Sequence, residues 1–194
     1  MKKPIIGVAV LFASLSLPVL AQSVASETQR DVNQQTRIEN GLKSGQLNTR
    51  EAARLEAEQS RISRAEANSL KDGKLSAREK ARIKAMQNHA SRDIYAEKHD
   101  AQHGSPNAVS SKRMQADVAR NLNQEKRIRD GVADGSLTNR EASRLQHREA
   151  GVDSREAAAG RDGHVGAHEQ ARVQGAADRA SNRIFNERHD SARK

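Results

Sequence analysis

An eleven-residue corner, running from a glycine into the start of a helix, is written four times in this chain. It spans Gly45–Leu55, Gly73–Ile83, Gly135–Leu145 and Gly163–Val173. Each copy has an aliphatic residue at +2 from the glycine, Glu at +6, Arg at +9 and an aliphatic residue at +10. A glycine that takes the left-handed conformation closes a helix. Asn48, Ser76 and Thr138 stand three residues before Glu51, Glu79 and Glu141, the spacing of a capping box. Each corner therefore ends one helix and starts the next, and four of them predict an array of antiparallel helical hairpins.

The apolar residues between corners fall at helical spacing. Val24, Val32, Ile38 and Leu42 predict a first helix that starts near Ser26 or Thr28 and stops at Ser44-Gly45. Leu55, Ile62 and Leu70 mark the second, with Gln59 and Glu66 completing a heptad-like row, and Ile83, Met86, Ala90 and Ile94 mark the third. Residues 102–111 have linker composition. Beyond them the unit returns at a fixed offset of 90 residues: Arg37-Ile38 matches Arg127-Ile128, Arg50-Glu51-Ala52 matches Arg140-Glu141-Ala142, and His99-Asp100 matches His189-Asp190. The expectation is an all-α protein, a tandem duplication of a three-helix antiparallel hairpin unit over 22–101 and 112–194. The second copy looks eroded, with Gly160 in place of Leu70, Ala176 in place of Met86, and Gly151, Gly166 and Gly175 where helix is expected. At about 1 kcal/mol for each glycine inside a helix, the second unit is expected to be the less stable.

Residues 1–21 have the three regions of a secretory signal peptide: Lys2-Lys3, an apolar stretch from Ile5 to Leu20, and Val19-Leu20-Ala21 before the cut. The mature chain then starts at Gln22, has no further apolar span, and belongs in a bacterial periplasm or outside the cell. No cysteine occurs, which excludes disulfides and thiolate metal sites. The 34 basic and 25 acidic residues leave a positive excess that favours acidic partners. From Gln22 onward only 26 large apolar residues are available for a core. That is little area against chain entropy, so helices that are marginally packed are expected.

The corner letters also resemble the second half of an EF-hand calcium loop, Asp-Gly-x-Leu-Ser-x-x-Glu. Asp72, Ser76 and Glu79 fit that half, and Asp130, Asp134, Thr138 and Glu141 give the fullest match. The resemblance implies a weakly held Ca²⁺ or other divalent cation, with no other cofactor. It departs from the family at the third loop position, which is Leu42, Leu70, Val132 or Gly160 and cannot coordinate. Helix capping accounts for the same letters, so the two readings stand side by side. His164 and His168, four residues apart, form a candidate transition-metal pair without a third ligand. The repeated end of the third helix, Tyr95, His99, Asp100 and Phe185, His189, Asp190, is a candidate docking or self-association surface with the two aromatic rings as anchors.

There is no phosphate-cradling glycine loop, Gly-x-Ser-x-Gly or His-Glu-x-x-His, and no cysteine nucleophile, so no enzyme is expected. Two aromatic residues after the signal are too few for stacking on single-stranded nucleic acid, and nucleic acid is disfavoured as a partner in vivo. The leading expectation is a non-enzymatic envelope protein with a structural or interaction role, held to an anionic envelope component, to a protein partner or to copies of itself. The alternative is divalent-cation binding or sensing through the loops or the histidine pairs.

Overall fold

In a computed structural model, which describes residues 17–190 and side chains from Val24 onward, the described residues form six α-helices and no strand. They are α1 Leu17–Ser44, α2 Thr49–Ser69, α3 Ala77–Lys98, α4 Val109–Ala133, α5 Asn139–Ala159 and α6 Ala167–Arg188. None of them is long and apolar enough to cross a membrane. The expected signal peptide lies largely outside the described residues; Leu17 to Ala21 already belong to α1, which therefore starts earlier than the apolar spacing suggested.

Each corner closes as capping chemistry requires. Gly45, Gly73, Gly135 and Gly163 all have positive φ, between 76° and 88°, where a side chain would be strained. Asn48, Ser76 and Thr138 accept the backbone N–H of Glu51, Glu79 and Glu141, and each glutamate accepts the cap residue's own N–H in return. Gly166 has no side chain to offer, yet Glu169 still holds its N–H at 2.8 Å. The aliphatic residue at +2 packs beneath the corner, with Leu47, Leu137 and Val165 buried and Leu75 partly so.

The two sequence copies do not lie end to end. The largest packed surfaces join matching helices, α1 with α4 and α2 with α5, while α3 crosses α1 and α2 and α6 crosses α4 and α5. Residues 90 apart meet face to face where α2 crosses α5: Ser60 Oγ donates to Ala150 O at 2.8 Å, and Ser63 Oγ to Asp153 Oδ2 at 3.1 Å. The corner arginines close the arrangement crosswise. Arg50 donates to the carbonyl of Asp162, and Arg140 to that of Asp72, each reaching the terminal turn of a helix in the other copy. Within each copy, Arg37 grips the hydroxyl and carbonyl of Ser91 as Arg127 grips those of Ser181. The segment expected as a linker is tied down, because Gly104 N–H donates to Gly45 O at 2.8 Å, and α4 has begun by Val109.

Both apolar clusters draw on both copies. One gathers Ile38, Leu42, Leu47 and Leu55 with Met114, Val118, Val152 and Val173. The other gathers Val24 and Leu70 with Ile128, Val132, Leu137, Leu145 and Ile184. Along α1, α2, α4 and α5 the two clusters take opposite ends, and the stretch between them buries polar side chains beside a few apolar ones, Val32, Ile62, Leu122 and Ala150.

Two of the glycines expected inside helices are not there. Gly160 caps the C-terminus of α5 and Gly166 the N-terminus of α6. A Cβ on Gly160 would lie 2.8 Å from Ala53 Cβ and 3.0 Å from Thr49 O, so the small residue lets α5 close on the start of α2. Gly175 lies inside α6 with only the end of Arg179 near a built Cβ. Gly160→Leu, which copies Leu70, is therefore expected to destabilise by about 1–3 kcal/mol. Gly175→Ala is expected to stabilise by about 0.5–1 kcal/mol. Urea unfolding of the two variants reads both signs.

Candidate functional site

The polar middle of the bundle grows out of the heptad rows of the inner helices. Turning inward from α1 are Glu27, Asp31 and Gln35; from α2, Glu56, Gln59 and Glu66; from α4, Asp117, Asn121 and Glu125; from α5, Gln146, Glu149, Asp153 and Glu156. All are at most 5 % exposed, and six of them (Glu56, Asn121, Gln146, Glu149, Asp153 and Glu156) show 1 % or less. An ionised carboxylate in such a place ordinarily needs a cation or several donors. Here no lysine or arginine is buried among the described residues.

Carboxamides supply most of the donors, and Ser63 Oγ adds one to Asp153. Gln87 offers its amide to Asp31 at 2.8 Å and to Glu66 at 3.2 Å. Asn121 does the same for Asp153 and Glu156. Gln35 donates to Glu56 at 2.9 Å, and Gln146 to Glu125 at 3.2 Å. These donors are too few. Among the described residues no amide, hydroxyl or basic group donates to Asp31 Oδ2, Glu56 Oε1, Glu156 Oε1 or either oxygen of Glu149, while Asp31 with Glu66 and Glu56 with Glu156 lie close enough to share a proton.

Burial accordingly pushes Asp31 and Asp153 up to about 7, against the hydrogen bonds each receives. Glu56 rises to about 8 through burial and then the repulsion of Asp153. Burial, then the neighbouring carboxylates, carries Glu66, Glu125, Glu149 and Glu156 well above the ordinary range: Asp31 acts on Glu66, Glu149 on Glu125, Asp153 on Glu149, and Glu56 on Glu156. Chemically this seam takes up protons, or cations in their place.

Among the described residues, three groups of potential metal ligands converge: Glu56–Asp153–Glu156, Glu58–His89–Asp93 and Glu51–Glu97–Asp100. The residues singled out in the sequence occupy other settings. Asp130 pairs with Arg129, and Asp134 accepts from Ser136 N–H and Arg188. Thr138 with Glu141, and Ser76 with Glu79, are engaged in their capping boxes, and Asp72 accepts the Lys74 N–H. His164 and His168 are exposed at the start of α6.

Tyr95 and Phe185 are 61 % and 55 % exposed, and each stacks on the histidine four residues on, His99 or His189, with ring centroids 4.1 Å apart. The histidine Nδ1 lies 2.7 or 2.8 Å from the aromatic residue's own carbonyl. Asp100 comes round to the first corner's Glu51, while Asp190 is exposed just beyond α6.

The seam itself escaped sequence reasoning. Its trace was the pair Gln59 and Glu66 in a row otherwise held by Leu55, Ile62 and Leu70, repeated 90 residues on as Glu149 and Glu156. No family model matches the chain, and no curated protein or solved structure matches it significantly.

A carboxyl group whose folded-state pKa is raised gives stability that is complete below its ordinary pKa and is lost as pH rises through the folded value. For Asp31 the window runs from 3.8 to about 7, and for Glu56 from 4.5 to about 8. In chelator the melting temperature is therefore expected to be highest near the bottom of that window and to fall steadily to its top. At this chain length each kcal/mol lost lowers it by about 2–4 °C. Asp31→Asn, which installs the residue found at Asn121, is expected to flatten that fall and to raise stability at the alkaline end by about 1–3 kcal/mol. A melting temperature that rises with pH over this interval contradicts the account.

Proposed function

We propose that the chain is an exported, non-enzymatic helical protein, built by duplication of one three-helix unit, that holds an anionic component of the cell envelope against a basic exterior. One observation carries this reading. Eleven of the 25 acidic residues are buried. Of the 34 basic residues, Lys2, Lys3, Arg193 and Lys194 lie outside the described residues, and none of the other 30 is buried. Neutralising the interior carboxyls, by protons or by cations, leaves an outer surface far more positive than the formal charge of +9 suggests.

The excess is focused between α5 and α6. Arg148, Arg155 and Arg179 line a groove there with His147, and Arg183 follows one turn on along α6. At the matching places of the first copy, Arg148, Arg179 and Arg183 are replaced by Glu58, His89 and Asp93. The groove of the second half is thus richer in arginine than its counterpart, which sets Glu58, His89 and Asp93 beside Arg61. Guanidinium groups suit phosphate and carboxylate headgroups, which they grip in pairs. Tyr95 on α3 and Phe185 on α6 are exposed apolar contact points, one in each half.

Co-sedimentation with phosphatidylglycerol vesicles and with phosphatidylcholine vesicles across a salt series tests the proposal. Binding is expected on the anionic vesicles alone and to weaken as salt rises. At about 1 kcal/mol for each basic residue near an anionic surface, Arg148→Glu with Arg179→Glu is expected to lower partitioning by about tenfold or more. Equal binding to both vesicles, or binding that salt leaves unchanged, overturns the reading.

A further inference from the structure

We infer that Glu56, Asp153 and Glu156, with the carboxamides of Gln35 and Asn121, form a binding site for one hard divalent cation of the Ca²⁺ or Mn²⁺ class in the middle of the bundle. The inference stands independently of the surface reading above.

Each inner helix contributes. Glu56 comes from α2, Asp153 and Glu156 from one face of α5, Gln35 from α1 and Asn121 from α4. One oxygen from each of the three carboxylates lies within 4.8 Å of the others. Oxygen ligands on opposite sides of a Ca²⁺ ion stand about 4.6–5.2 Å apart, so these three can embrace an ion without being pulled far. All five side chains are at most 2 % exposed.

What points to a ligand is the surplus of acceptors. Glu56 Oε1 and Glu156 Oε1 receive no amide, hydroxyl or basic donor, and a proton shared between these two carboxyls is what an ion would displace. Gln35 Oε1 and Asn121 Oδ1 are buried and have no donor either. Both carboxamides reach the carboxylates through their nitrogens: Gln35 touches Glu56, and Asn121 touches Asp153 and Glu156. Oxygen and nitrogen of a carboxamide exchange places on a half-turn of the head group. That half-turn would give the unpartnered oxygens to an ion, completing an all-oxygen shell of carboxylates and amide carbonyls. With no histidine or cysteine in the group, the donor set suits hard cations over Zn²⁺ or Cu²⁺.

The second copy's positions show why a single ion is expected. Ninety residues away, Glu56, Asp153, Glu156, Gln35 and Asn121 become Gln146, Ser63, Glu66, Glu125 and Asp31, which also hold three carboxylates, but among the described residues those three do not converge within 4.8 Å as the first set does. The site is distinct from the loop at Asp130 to Glu141 and from His164 and His168.

Titration calorimetry and thermal melting of the chelator-treated full chain at pH 7.5, with CaCl₂, MnCl₂, MgCl₂ and ZnCl₂ in turn, test the site. One saturable Ca²⁺ or Mn²⁺ per chain is expected, within about 1 mM, together with a rise in melting temperature. Glu56→Gln and Asp153→Asn, which keep side-chain volume, are each expected to weaken that binding by about tenfold or more. Both are expected to raise the melting temperature of the ion-free protein at the same pH, a sign opposite to that of a merely structural carboxylate. Asp134→Asn and the double variant His164→Ala/His168→Ala are expected to bind as the parent does. The inference is overturned by no saturable binding of Ca²⁺ or Mn²⁺ at millimolar concentration, in which case protons alone neutralise the seam. It is equally overturned by binding that Glu56→Gln and Asp153→Asn leave intact.

Discussion

The bundle depends on bringing carboxyl groups into its interior without bringing basic side chains with them. Isolated charges at such depth are too costly to persist, so the folded state requires that the carboxyls be neutral or be shared around something positive. That requirement sets the layout of everything else. Carboxamides from Gln35, Gln87, Asn121 and Gln146 act as the local donors. The aliphatic residues withdraw to two clusters at the ends of the inner helices. A chain with so few large apolar residues can still form a closed bundle in this way, because part of its interior is filled by polar groups whose hydrogen bonds are strong in a low-dielectric setting.

The same arrangement links inside to outside. Burying acid residues and leaving every described lysine and arginine outside the core separates charge by depth. Composition already describes a basic protein, and the depth of the acidic residues leaves the exterior with a larger share of basic groups. The α5–α6 groove with its arginines and the α2–α3 face with Glu58, His89 and Asp93 further separate charge from one side to the other. The two halves thus share their corners and differ in the charge of their surfaces.

Helices and corners were legible because they obey local rules. The left-handed glycines, the reciprocal bonds of Asn48 with Glu51, and the buried Leu47 and Leu137 are each fixed by a few consecutive residues. Arg50 and Arg140 could be seen to match, but their targets, the carbonyls of Asp162 and Asp72, lie in the other copy, and no local rule names them. The helices were legible as a class, and consecutive ones do pack, α3 on α2 and α6 on α5, but the larger surfaces join α1 with α4 and α2 with α5, which hairpin logic does not name. The buried seam was hidden for a related reason. Glu66 and Glu149 carry the same letter as a solvated surface glutamate, and only the helix on the far side shows that they face inward. Gly160 read as erosion for want of the same information, because Ala53 and Thr49 lie on a different helix.

The crosswise arginines also bear on how the chain completes itself. Neither half holds its own helix ends entirely: the guanidinium that finishes the α5 terminal turn belongs to the first half, and the one that finishes α2 belongs to the second. Any molecule with the same sequence carries the same two complements. The short strap from Ala101 to Ala108 is pinned to the first corner, where Gly104 N–H donates to Gly45 O. That strap thus adds a third tie between the halves, beside the two crosswise guanidinium contacts.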